Sequence, residues 1–463
     1  MKRLISTLAA LVLFSLAAFS QQSSPVPPAA PASPEFLKAA DEVLADVSKL
    51  ISLPVKSPLK KTVRSREEIR EYILREVRED RDAAKWDADQ KALEKFGLLP
   101  RGFDLQKCVV DLLTEQVAGL YDPKGKEFYI ADWIALQDQR MVMAHELVHA
   151  LQDQHFDLKV WSEAARPNDD AELARHSVLE GAAIAGMLEY LLREQKLTVN
   201  DMPDLEQLIR AQMVGETNKQ SQLARAPAYI RDSLLFPYLA GVTFTQRLLR
   251  AGGGWEQFHK VFEKPPASTR QILHPDLYLS GENLLPVPLS AAIGAVPAGW
   301  KKLDENTLGE FGVHAVLKQF LGDERARRLS PAWAGDSYAV FEQEKTKRVL
   351  LLFRLRLAGA VDAARFFGAY SETLELKYAL RSTLFRRPNF FSFATGQGGV
   401  FLYCRRDDCL AVEGATRALF DLFTRALRWP DAARPASPAK PAEKIVSLPS
   451  SLHRGSYTLY PTP

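Results

Sequence analysis

Cysteine is scarce, with three in 463 residues. That count excludes a disulfide scaffold, which needs cysteine at far higher density. An excess of one charge is missing too. Sixty basic residues face 57 acidic ones, a formal net charge of +3. No long block of like charge occurs, so nothing marks a nucleic-acid surface. After the first 20 residues no apolar run is long enough to span a bilayer. Histidine is sparse, at eight copies, so a pair at a chemically useful spacing is informative. What is present is a hydrophobic fraction of 46%, enough for full cores, in a chain long enough for two or three domains.

The two ends differ from the middle. Lys2 and Arg3 precede an apolar run from Leu4 to Phe19, and Ala18-Phe19-Ser20 offers small residues before Gln21. This is the pattern of a secretory signal peptide over residues 1–20. No cysteine follows it to carry a lipid. The mature chain is expected to be exported, periplasmic or secreted, with no membrane span after cleavage. Residues 21–34 are rich in Pro, Ala and Ser and read as a disordered linker. Residues 429–463 read as a disordered Pro/Ala-rich tail. In an oxidising compartment Cys404 and Cys409, flanking an expected hairpin turn, either bridge or stay as thiols. Cys108 is left alone and is expected to be buried.

The informative stretch is Met141 to Leu158, MVMAHELVHALQDQHFDL. Residues four apart share a helix face, so His145 and His149 can meet one ion, with Glu146 beside it. This H-E-x-x-H spacing suits two zinc ligands and a general base. Met141, Val142, Ala144, Leu147, Val148 and Leu151 are apolar and should bury the helix. A catalytic zinc takes a third protein ligand, and three residues compete for the place. Glu180 sits on a second long helix, expected over Ala171–Leu192, followed by Gly181-Ala182-Ala183, whose small side chains allow close helix approach. His176 lies one turn before it. His155 lies six residues after His149, the spacing of H-E-x-x-H-x-x-G-x-x-H. That motif turns at a glycine, whereas Gln152 stands here and lets the helix continue.

His145-Glu146-Leu147-Val148-His149 followed by Glu180-Gly181-Ala182-Ala183 resembles the gluzincin branch of the zincin metallopeptidases. The resemblance implies that His145, His149 and Glu180 bind zinc and that Glu146 is the base. That branch commonly carries an acid four residues after the ligand Glu. Ile184 stands there, so an acid orienting a ligand imidazole is missing or comes from elsewhere. From Gly119-Leu120-Tyr121-Asp122-Pro123 to Glu180-Gly181, the chain is similar to a set of exported bacterial zincins. The likeness is specific over roughly residues 115–190, with a looser echo in Pro265-Pro266, Ser268-Thr269 and His274-Pro275. It implies hydrolysis of a peptide or protein substrate and specifies no sequence preference.

Residues 35–285 are thus expected to form a zincin-like core. Ser65 can cap one of its helices. Val117 to Ile130 reads as a hairpin turning at Asp122-Pro123-Lys124-Gly125, so a strand near Tyr121 or Tyr129 could hold an extended peptide. Tyr238 and His274 are the candidates for steadying an oxyanion. Residues 300–428 are expected to fold as a small ββαββα domain without catalytic clusters, after a Pro/Ala-rich stretch at 286–300. The whole is expected to be α+β and mostly helical. The alternative function is binding or envelope assembly on a zincin scaffold with a structural metal. Oligomeric state is not legible.

Overall fold

Apolar residues at helical spacing must bury one face, and here they build a helical layer against two sheets. The computed structural model describes residues 34–80, 83–115, 119–203, 205–215, 221–379 and 384–429. The expected leader, almost all of the linker and the tail from residue 430 lie outside them. Ten longer helices position the site or the sheets: α1 (Pro34–Leu50), α2 (Arg66–Asp80), α3 (Ala83–Phe96), α4 (Leu105–Glu115), α5 (Leu136–Phe156), α6 (Asp169–Leu192), α7 (Ala228–Arg250), α8 (Gly309–Leu321), α9 (Ala360–Lys377) and α10 (Arg417–Ala426). The architecture is α+β. No helix among the described residues is long and apolar enough to cross a membrane.

Local chemistry explains several boundaries. Ser65 caps α2 as expected. Its hydroxyl accepts the Glu68 N–H at 3.3 Å, and the Glu68 carboxylate accepts the Ser65 N–H at 2.8 Å, a reciprocal capping box. The Asn168 side chain accepts from Ala171 N to start α6. Helix α5 is buried throughout Val142–Asp153, so it lies in the centre of the helical layer.

The first sheet has the order β1-β3-β2, with β1 Lys60–Arg64, β2 Gly119–Asp122 and β3 Glu127–Ala131. The expected hairpin is β2–β3, antiparallel. Strand β1 lies parallel to β3 on its other side and was not foreseen, because Lys-Lys-Thr-Val-Arg shows no apolar alternation. The second sheet corrects the four-strand expectation for the C-terminal part. It has seven strands in the order β4-β5-β6-β10-β9-β8-β7. Strands β5 (Trp333–Gln343), β6 (Val349–Leu357), β9 (Gly398–Arg405) and β10 (Asp408–Ala415) were legible. Strands β4 (Trp300–Asn306), β7 (Phe385–Arg387) and β8 (Phe390–Thr395) were not. The first two are polar or very short and lie at the sheet's margins.

Cys404 and Cys409 face each other across β9 and β10 and are disulfide-bonded. Cys108 is a free thiol but half-buried rather than buried; its side chain lies on the partly covered face of α4.

One hydrophobic core runs without a break from α1 through α5, α6 and α7 to one face of the large sheet. A smaller core on the sheet's other face holds α10 and the short helix Ser290–Gly294. The two halves are also joined by hydrogen bonds. Asn306 accepts the Asp169 N–H at the start of α6. Lys91 of α3 donates to Glu342 of β5 at 2.5 Å.

Candidate metal centre

Three buried groups converge where α5 meets α6. His145 Nε2 stands 3.2 Å from Glu180 Oε2, and His149 Nε2 stands 3.6 Å from the same oxygen. The two imidazole rings are 5.0 Å apart and nearly perpendicular. Each residue offers one donor atom, and the three donors lie within 4.8 Å of one another. Such a set could hold a metal ion. His149 Nε2 is buried without any hydrogen-bond partner within 3.5 Å, which is costly unless another species satisfies it.

Electrostatics follow from this crowding. Burial pulls the His149 imidazole down, but the Glu180 carboxylate outweighs it and holds the group above its ordinary value. Burial opposes ionisation of Glu180, yet His149 and His145 hold it far below the usual carboxylate range. Glu146, on the same helix, is pushed up to about 8 by burial. A positive charge is therefore wanted between the imidazoles and Glu180, supplied by a proton or by a cation.

Neighbouring elements orient these groups. His149 Nδ1 lies 3.3 Å from Gln152 Oε1. That contact places the ring proton on Nδ1 and turns Nε2 toward the cluster. Gln152 thereby supplies the acceptor for an imidazole that Ile184 cannot provide. Tyr121 N–H on the edge strand β2 donates to Glu146 Oε2 at 2.8 Å. The Tyr121 hydroxyl donates to Asp153 Oδ2 at 2.6 Å, and Lys126 also pairs with Asp153. β2 is thus pinned to α5 by backbone and side chain together.

The small residues after Glu180 have a more specific use than expected. A Cβ on Gly181 would stand 2.1 Å from the Gly241 carbonyl oxygen, so the closest approach of α6 is to α7. Against α5 it is Gly186 that approaches, where a Cβ would meet Val148 at 2.6 Å. The backbone contact brings Tyr238 of α7 to the cluster. Its ring stacks on His145 at 6.3 Å, and its buried hydroxyl lies beside Glu180.

Other expected residues fall elsewhere. Helix α5 continues through Gln152 to Phe156, and His155 Nε2 lies 2.8 Å from the Pro54 carbonyl. His155 is therefore not a third ligand. His274 is not brought to the cluster. Its Nε2 pairs with Glu310 at 2.8 Å, and it lines a separate cavity with Phe236, Leu239 and His314. The reason is that α7 stands between, showing Tyr238 to the cluster and Phe236 and Leu239 to His274. Tyr129 sits on β3, which has a neighbour on each side and no free edge for a peptide. His176, weighed in the sequence as a ligand, as a residue supporting the ligand Glu180 or as a plain core histidine, stands 3.5 Å from Glu180 Oε1, and both its nitrogens lack hydrogen-bond partners. It lines a cleft of about 360 Å³ with Tyr121, His149, Leu179 and Glu180.

A family model described as "domain of unknown function (DUF8575)" matches residues 297–422. That stretch spans β4 to most of α10, the seven-stranded sheet with its helices, and leaves the His145–His149–Glu180 cluster outside it. No curated protein and no solved structure matches the chain.

Proposed function

We propose that this chain is an exported zinc-dependent metallopeptidase on a zincin-like core, with His145, His149 and Glu180 as ligands and Glu146 as general base. The observation that carries the reading is the meeting of two imidazole nitrogens and one carboxylate oxygen at 3.2 and 3.6 Å, buried and with no counter-cation among the described residues. Donors about 2.0–2.1 Å from a tetrahedral zinc stand about 3.4 Å apart, between those two separations. When bound, zinc would polarise the scissile carbonyl and acidify the attacking water. Glu146 accepts the water proton and delivers it to the leaving amine. Tyr121 N–H holds one Glu146 oxygen and leaves the other for that proton. The free edge of β2 offers main-chain hydrogen bonds to an extended peptide. His176 lines the cleft and is assigned as a donor to the substrate.

The test is the zinc content of the purified protein by mass spectrometry, with Glu180→Ala and Glu146→Gln alongside. About one zinc per chain is expected in the native and Glu146→Gln proteins, and a loss in Glu180→Ala. Hydrolysis of a peptide library should fall about a thousandfold in Glu146→Gln. A native protein purified without chelators and free of zinc overturns the reading.

One observation favours a second reading, a binding protein with a structural metal. His145 and Glu146 do not line the open cleft. Tight zinc with no hydrolysis in either the native or the Glu146→Gln protein would decide for it.

A further inference from the structure

A cavity of about 840 Å³ lies away from the metal centre, between the turn after α3 and the large sheet. Its walls carry six cations and one carboxylate: Lys91, Lys95, Arg101, Arg225, Lys347 and Lys377 against Glu94. Three of the cations are neutralised locally. Lys377 pairs with buried Glu413 at 2.6 Å. Lys91 pairs with Asp87 and Glu342, and Lys347 with Glu342. The side chains of the other three, Lys95, Arg101 and Arg225, make no hydrogen bond or ion pair among the described residues. Glu94 is occupied by neutral donors, the Gly102 N–H and the Gln90 amide.

Lys95 is the telling residue. It is only 6% exposed, and a buried ammonium without a partner is costly. Burial pulls it down to about 8. Glu413 opposes that shift, while Lys377 and Arg101 add to it. Three cations gathered around a cavity with one carboxylate leave an excess of positive charge close to that of a phosphate dianion. Gly97, whose φ is +77°, lets Phe320 pack directly on the turn after α3: a Cβ there would meet the Phe320 ring at 2.6 Å and Lys377 at 3.3 Å.

We propose that this cavity binds a phosphate-bearing small molecule through Lys95, Arg101 and Arg225. The guanidinium forks match phosphate oxygens two at a time, and the ammonium adds a point charge. The volume exceeds the needs of free phosphate and falls in the range of about 300–1,000 Å³ used for organic ligands. Phe103, Phe320 and Tyr378 line the same cavity and offer apolar surface to the remainder of the molecule. Because the walls come from α3 and from the large sheet, an occupant joins the two halves of the chain.

Calorimetric titration of the whole protein at about 0.15 M ionic strength tests this with inorganic phosphate, glucose 6-phosphate and AMP, and with citrate as a carboxylate control. At least one phosphate probe is expected to bind below about 1 mM, and at least tenfold (about 1.4 kcal/mol) more weakly in Lys95→Met, Arg101→Gln and Arg225→Gln. Arg101 and Arg225 are exposed, so their variants lose affinity without losing the fold. An organic phosphate binding about tenfold tighter than free phosphate identifies an organic ligand, and equal affinities identify phosphate itself. Citrate binding as tightly as every phosphate probe, no phosphate binding below about 10 mM, or unchanged affinity in all three variants overturns the proposal. None of these readouts depends on zinc or on hydrolysis.

Discussion

Tyr238 and His176 both touch the metal cluster, and their surroundings assign them different work. Tyr238 is buried against His145, with its hydroxyl beside Glu180. Burial, with Glu180 and Glu146 nearby, keeps the phenol protonated far above its ordinary range. It stands behind the ligands, outside the open cleft. His176 lines that cleft. Tyr238→Phe should therefore leave zinc in place and lower turnover less than about tenfold. Stability should change by no more than about 1 kcal/mol, because the hydroxyl lost is one neutral donor beside Glu180. His176→Leu should also retain zinc but lower kcat about a hundredfold. Zinc content and kcat measured together on the two variants separate these roles. The reverse order of effects would move the substrate contact to Tyr238.

At the scale of elements, the crossing of α6 and α7 holds the site together. The contact is backbone on backbone: a Cβ on Gly241 would stand 2.2 Å from the Ser177 carbonyl oxygen. No rotamer change relieves such a clash, so the helices must separate. Gly241→Ala is expected to cost about 3 kcal/mol, the upper end for overpacking. In a chain of this length that lowers Tm by about 3 °C. Zinc affinity should fall with it, since Glu180 adjoins Gly181 on α6. An unchanged melting curve would mean that α7 accommodates the methyl and that the crossing is looser than described.

The longer helices and the central strands were legible because their apolar residues recur at the right period. Strands β4 and β7 were not, since a margin strand can be polar or short and still be held by its neighbour. Trp300-Lys-Lys-Leu-Asp-Glu-Asn306 pairs with β5 along nearly its whole length, and no alternation in its own residues announces this.

For the whole molecule, the unbroken core makes α3 a bridge between the helical layer and the large sheet, and Lys95 on it reports on that junction. An ordinary lysine loses its proton near 10.5, whereas folded Lys95 loses it at about 8. Between those values the folded state binds fewer protons than the unfolded one, so stability rises with pH. Below about pH 8 the full cost of the buried charge is present, and by about pH 10.5 it is relieved. The change is on the order of 3 kcal/mol. Lys95→Met should be the more stable protein at pH 7, and its advantage should shrink between pH 8 and 10.5. Denaturant titrations of both proteins across that range, without added phosphate, check this. A constant difference would mean that Lys95 titrates normally in the folded state.

The helix that carries His145, Glu146 and His149 follows from local pattern, because a four-residue spacing has one meaning on a helix. Local pattern also pointed to Glu180, through its place on a second long apolar helix, and to the hairpin that became β2–β3. Tertiary structure alone decided the rest. It brought Tyr238 to the ligands and kept His274 away, because α7 presents different faces to the two. It gave Gln152 an orienting contact and left β2 as the free edge. It gathered Lys95, Arg101 and Arg225, whose partners and lack of partners depend on chain segments hundreds of residues apart. Local periodicity fixes which residues share a face; which faces meet depends on packing that no single stretch of sequence contains.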